Sequence, residues 1–198
     1  MKHQNKQLTI ELALFLIGIK LTFQLITHPL HISHHFFGWV HKKDNTYFNE
    51  GQLASKGIEQ LAETGSTSTL VSEFQALTDN NEGLSTYTGS GLNSGVGTIS
   101  IDITVNLDFP AVSLASMLTP SPDWFVVCIN VNLLEEDGGF VIEITVVGHV
   151  YDADTEEGDT FSFNNDESCP QESIREIVEI PLGNGTFVKS SLCTVVFT

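Results

Sequence analysis

The sequence predicts an all-β fold, an antiparallel β-sandwich with one or two short helices inserted after the first strands. Three observations carry this. Ile99, Ile101, Ile103, Val105 and Leu107 alternate strictly with Ser100, Asp102, Thr104 and Asn106, the period of two of a half-buried strand. Further β-rich runs lie at 112–118, 129–133, 140–146, 174–180 and 192–197, parted by Gly, Pro, Asn and Asp. Hydrophobic residues make up 41% of the 198, enough for the core of one domain of this kind.

In chain order, Lys2 and Lys6 precede an apolar run at 8–19 that Glu11 interrupts. This pattern predicts that residues 1–19 are a signal peptide or a degenerate apolar leader, with the domain at 20–198. A buried first strand is the alternative, and residues 21–26 are its best candidate. Two helices follow. Ala54, Ile58, Leu61 and Ala62 fall on one face of a segment that Gly65 ends. Leu70, Phe74 and Leu77 repeat at i, i+4 and i+7 behind Ser66, Thr67 and Ser68, which offer N-caps. Residues 78–97 hold five glycines among Ser, Thr and Asn, and read as a long surface loop. Glu135-Glu136-Asp137-Gly138-Gly139 reads as a hairpin turn.

Charge is distributed unevenly. Residues 1–43 carry five lysines against one glutamate, whereas from Asp44 onward three basic residues face 24 acidic ones. Such a body repels nucleic acid and bare anionic lipid and tolerates cations. No integral membrane span is expected, because the apolar run before Lys20 is too short. The three cysteines allow one bridge, with Cys169 and Cys193 near likely strand ends, or three reduced, buried thiols; their spacing fits no zinc signature. His28, His31, His34, His35 and His41 crowd one short stretch, but no Cys or carboxylate completes a zinc set. Asn184-Gly185-Thr186 is a glycosylation acceptor if the source is eukaryotic. Nucleophile-elbow, zinc-protease and phosphate-loop motifs are absent, so nothing in the sequence supports an enzyme.

Two segments can carry chemistry. Asp152, Asp154, Glu156, Glu157 and Asp159 crowd one turn, the oxygen-rich pattern that a hard cation such as Ca²⁺ requires. An EF-hand is excluded, since Phe163 stands where the bidentate Glu belongs. Upstream, Pro120 and Pro122 stiffen the loop that projects Asp123. In an antiparallel sandwich, loops at one end gather, so Asp123 can meet Asp152 although the two are distant in sequence.

Ser121-Pro122-Asp123-Trp124-Phe125-Val126, followed by Tyr151-Asp152-Ala153-Asp154-Thr155-Glu156, resembles the paired motifs SPDWFVG and YDAGTDSG of the spondin domain. Thr27-His28-Pro29, His35-Phe36 with Val40-His41, and Glu50-Gly51 through Ala54-Ser55 to Ala62-Glu63-Thr64-Gly65 resemble its upstream motifs in the same order. The resemblance implies a C2-like antiparallel sandwich in secreted, extracellular matrix and adhesion proteins. It also implies a calcium ion held by Asp123, Asp152 and Glu156, the last a Glu where the family has Asp. Ca²⁺, with its loose geometry, absorbs the extra methylene. Asp154 replaces a family glycine, either as a further ligand or as added charge.

The function expected is a calcium-binding module that recognises a matrix or cell-surface protein or glycan, partly through Trp124 and its neighbours. Two alternatives stand beside it. One is calcium-bridged binding of anionic lipid or glycan surfaces. The other is a hydrolase whose site no motif exposes.

Overall fold

The computed structural model describes residues 17–25, 31–90, 97–162, 165–181, 187–189 and 193–198. Its strands are β1 (Ile17–Leu25), β2 (His31–His41), β3 (Gly83–Ser90), β4 (Gly97–Val105), β5 (Ala111–Thr119) and β6 (Trp124–Asn132). They continue with β7 (Ile144–Asp152), β8 (Arg175–Glu176), β9 (Glu179–Pro181), β10 (Phe187–Lys189) and β11 (Cys193–Phe197). Helices α1 (Lys56–Thr64) and α2 (Ser68–Asp79) lie between β2 and β3. The all-β fold with two inserted helices is therefore present. Residues 17–19, assigned to the leader from the sequence, lie in β1. Residues 1–16, His28 and Asn184-Gly185-Thr186 lie outside the described residues.

All the pairings are antiparallel, in the order β3-β2-β5-β6-β7-β11-β1-β4, with β8 on β7 and a separate β9–β10 pair. Strand β7 joins the two layers. Its first half pairs with β11 from Phe197↔Ile144 to Cys193↔Gly148, and its second half with β6 from Val127↔His149 to Trp124↔Asp152. Across the open side, the Thr104 N–H donates to the Tyr87 hydroxyl at 2.8 Å and ties β4 to β3.

Alternation divides the core in two. Phe36, Val40, Leu114, Trp124 and Val126 face Ile103, Val105, Val195 and Phe197 between the layers. The intervening Phe37, Trp39, Ala115, Phe125 and Val127 face outward, where Ile58, Leu61 and Ala62 of α1 and Leu70 and Phe74 of α2 cover them. Strands buried on both faces lose the alternation that marks a half-buried one. That is why β2, all of it buried from Phe36 to His41, shows no strand signature in the sequence. Helix α1 matches expectation. Ser55 caps it by accepting the Ile58 N–H, and Gly65 ends it at φ 70°.

Several expectations fail here. Residues 78–97 are not one long loop, because β3 occupies the middle of that stretch. A Cβ at Gly89 would stand 2.1 Å from the Phe36 ring, and one at Gly83 2.2 Å from Trp39 Nε1. The glycines that suggest a loop are there so that a strand can cross two aromatic rings. In α2, Thr67 makes no side-chain cap bond, and Leu77 is exposed while Leu70 and Phe74 are buried. The 140–146 strand begins only at Ile144; Phe140 makes a single bridge to Leu134, and Ile142 is 91% exposed. Cys169 is free and exposed, so it forms no bridge with Cys193, and it is not a buried thiol as Cys128 is.

Candidate metal centre

Backbone pairing brings the predicted site together. The Ser121 hydroxyl donates to the Leu118 carbonyl and accepts the Trp124 N–H at 3.1 Å, closing the β5–β6 connection tightly. Asp123 thus ends that connection just before Trp124 pairs with Asp152. The Ala153 N–H donates to the Asp123 carbonyl at 3.2 Å, so the two aspartates, remote in sequence, become register neighbours.

The turn after β7 folds around Asp123. Asp152 Oδ1 accepts the Asp154 N–H at 3.0 Å, a side-chain turn that helps Asp154 adopt φ 53°. Asp123 Oδ2 accepts the Thr155 and Glu156 N–H groups at 2.6 and 3.0 Å and the Thr155 hydroxyl at 3.2 Å. Asp123, Asp152 and Glu156 are 0%, 2% and 7% exposed. Asp123 Oδ1 and Glu156 Oε2 are buried without a hydrogen-bond partner. Burying carboxylate oxygens unsatisfied is costly, and a cation is the group that most directly removes that cost.

The electrostatics agree. Burial, reinforced by Asp123, pushes the Asp152 carboxyl up to about 8. Burial and then Glu63, Asp123 and Asp166 push Glu156 to about 7. Like charges at close quarters cannot all ionise unless a counter-charge joins them. One is already present: Arg175 Nη2 lies 2.6 Å from Asp152 Oδ2, and its Nε 3.0 Å from Asp154 Oδ2. Asp154 is thus ion-paired with Arg175, but its Oδ2, like Asp123 Oδ1 and Glu156 Oε2, accepts no hydrogen bond.

Among the described residues, no three His, Cys, Asp or Glu side chains already stand in the arrangement that a bound metal takes. The acids converge, but Asp123 Oδ2 and both Asp152 oxygens are turned to N–H groups and to Arg175. These carboxylates are donors of the kind that Ca²⁺ takes, and for Asp152 to join them it would have to share or exchange its Arg175 contact.

One sequence expectation is settled differently here. Trp124 is 1% exposed and packs edge-on against Phe161 with ring centroids 5.2 Å apart, so it supports the site from below and cannot form a recognition surface. His41 is wholly buried. Its Nδ1–H donates to the Lys42 carbonyl at 2.6 Å, and Nε2 accepts from the Ser113 hydroxyl at 2.8 Å. Burial lowers its pKa, as expected of a neutral core histidine. Sequence reasoning misses Arg175 and Thr155. Arg175 is the sole arginine of the chain, and that isolation in an acidic body is the available signal.

Comparison with known proteins agrees with the architecture. The Spondin_N family model matches residues 24–184. Human Spondin-2 is 29% identical over 141 residues, which cover 71% of this chain and 42% of that protein. Rat Spondin-2 is 28% identical over the same shares, and chicken Spondin-1 is 28% identical over 149 residues, covering 72% of this chain and 18% of its own length. The chain thus spans less than half the length of these relatives. A family match over most of the sequence, and a fold that joins the two motif segments in register, place this chain in the Spondin_N family.

Proposed function

We propose that this chain is a secreted, non-enzymatic calcium-binding module that attaches to an extracellular matrix or cell-surface partner. Membership of the Spondin_N family supports the extracellular setting and the attachment role. Among the described residues, no helix is long and apolar enough to cross a membrane. The observation that carries the calcium assignment is the burial of Asp123 Oδ1 and Glu156 Oε2 without partners, beside Asp152. Calcium would neutralise the cluster and clamp the β5–β6 connection to the turn after β7, giving the end of the sandwich a fixed shape. The protein's own residues supply the orientation. Asp123 holds the turn through two amides, and Arg175 restrains Asp152.

A calorimetric melt with and without EGTA, repeated at several pH values, tests this. Extracellular calcium modules bind at about 10⁻⁴–10⁻³ M. A few millimolar Ca²⁺ is then expected to add roughly 1–2 kcal/mol of stability, or about 2–8 °C for a chain of this size. The pH dependence has a definite sign. In EGTA, Asp152 and Glu156 have folded pKa values raised above their ordinary ones. Their contribution is fully present below about pH 4 and is lost as pH rises through 7 to 8. His41 acts oppositely, losing stability as pH falls below about 6.5, so the range from about pH 7 to 8.5 isolates the carboxylates. The midpoint in EGTA should fall across that range and stay nearly level in calcium. Equal midpoints with and without EGTA at pH 8 would remove the metal.

A further inference from the structure

Beside the acid triad, a cavity of about 430 Å³ opens between α1 and the turn after β7, lined by Lys56, Glu59, Glu63, Thr155, Glu156 and Glu167 among others. Two of its features point to a ligand. Glu156, 7% exposed, lines this cavity and has its Oε2 unpartnered. Glu63, near the C-terminal end of α1, lines the same cavity. Thr155 lies between Glu63 and the triad: its N–H and hydroxyl both reach Asp123 Oδ2, and its side chain also interacts with Glu63.

From this juxtaposition of Glu63 with the unpartnered, buried Glu156 carboxylate across one cavity, we infer that Glu63 is a fourth acidic residue of the cation centre, making helix α1 part of the site. The inference rests on the calcium reading above and extends it to a residue on another structural layer. Calcium takes six to eight oxygens, so three carboxylates leave positions for a further side chain. Lys56 is engaged by Glu59 at the exposed mouth of the cavity. Glu63, from α1, and Glu156, from the turn after β7, line the cavity beside it. A bound ion would therefore fasten α1 to the turn after β7.

The test is calorimetric titration of the full chain with Ca²⁺ alone, comparing the parent with Glu63→Gln, Glu59→Gln and Asp123→Asn. Removing a supporting group at a metal centre typically lowers affinity 10- to 100-fold. Glu63→Gln should weaken binding by at least about tenfold, Glu59→Gln by less than about twofold, and Asp123→Asn should abolish it. Melting in EGTA separates a ligand from a structural prop. Glu63→Gln should melt at or above the parent there, because repulsion is relieved, yet below it in calcium. Parental affinity in Glu63→Gln, with binding lost in Asp123→Asn, overturns the role of Glu63 and leaves the triad standing. Parental affinity in Asp123→Asn overturns the calcium centre itself.

Discussion

Asp123→Ala should lower stability in calcium by roughly 3 kcal/mol and abolish cation binding. The Thr155 and Glu156 N–H groups and the Thr155 hydroxyl would lose a shared acceptor in a wholly buried position. Each buried donor left unmade costs about 1–3 kcal/mol, and for a chain of this length 1 kcal/mol corresponds to about 2–4 °C. Asp123→Asn separates the two roles of the residue. Its side-chain carbonyl can still accept the amides, but the negative charge is gone. In EGTA the Asn variant should melt close to the parent, since repulsion of Asp152 is also relieved. In calcium it should show no gain. If the Ala variant melts within about 2 °C of the parent, Asp123 does not organise the turn after β7.

Phe74→Ala should cost about 3–5 kcal/mol, the usual range for deleting a buried aromatic. Phe74 is 3% exposed and holds the helical layer to the sheet. Its ring centroid lies 5.3 Å from that of Phe37, 4.6 Å from Trp39 and 4.9 Å from Tyr47. No other aromatic of α2 can take its place, so the cavity would remain. Leu77→Ala on the same helix is the control. Leu77 is 37% exposed and should cost less than about 1 kcal/mol. Denaturant melts of the two variants decide the matter. Equal losses would mean that α2 does not dock through Phe74.

How far the sequence can be read follows from burial geometry. Strand β4 lies where Ile99 to Val105 alternate, because only one of its faces meets the core. Strands β2 and β5 are buried on both faces by the helices and the second layer, so their sequences carry no period of two. Strand β3 is hidden by its own glycines, whose reason, the rings of Phe36 and Trp39, belongs to a neighbouring strand. The acid triad is legible because Asp123 and the turn acids sit in short, distinctive segments. Its supporting residues are not. Arg175 arrives on β8, well downstream of Asp152, and Glu63 on a helix far upstream of Asp123. Arg175 comes beside Asp152 only through the β7–β8 pairing, and Glu63 comes near the turn after β7 only once α1 packs there. Trp124 shows the opposite error, since its motif suggests a contact surface, whereas inward alternation buries it beneath the site.

The account depends on one ion at one place. A crystal of the full chain grown in calcium, with anomalous scattering recorded, tests it most directly. The result expected is a single peak at the end of the sandwich, with oxygens of Asp123, Asp152 and Glu156 at about 2.3–2.6 Å. Density showing Asp123 Oδ1 and Glu156 Oε2 bridged by water alone, with no peak between them at saturating calcium, would contradict it.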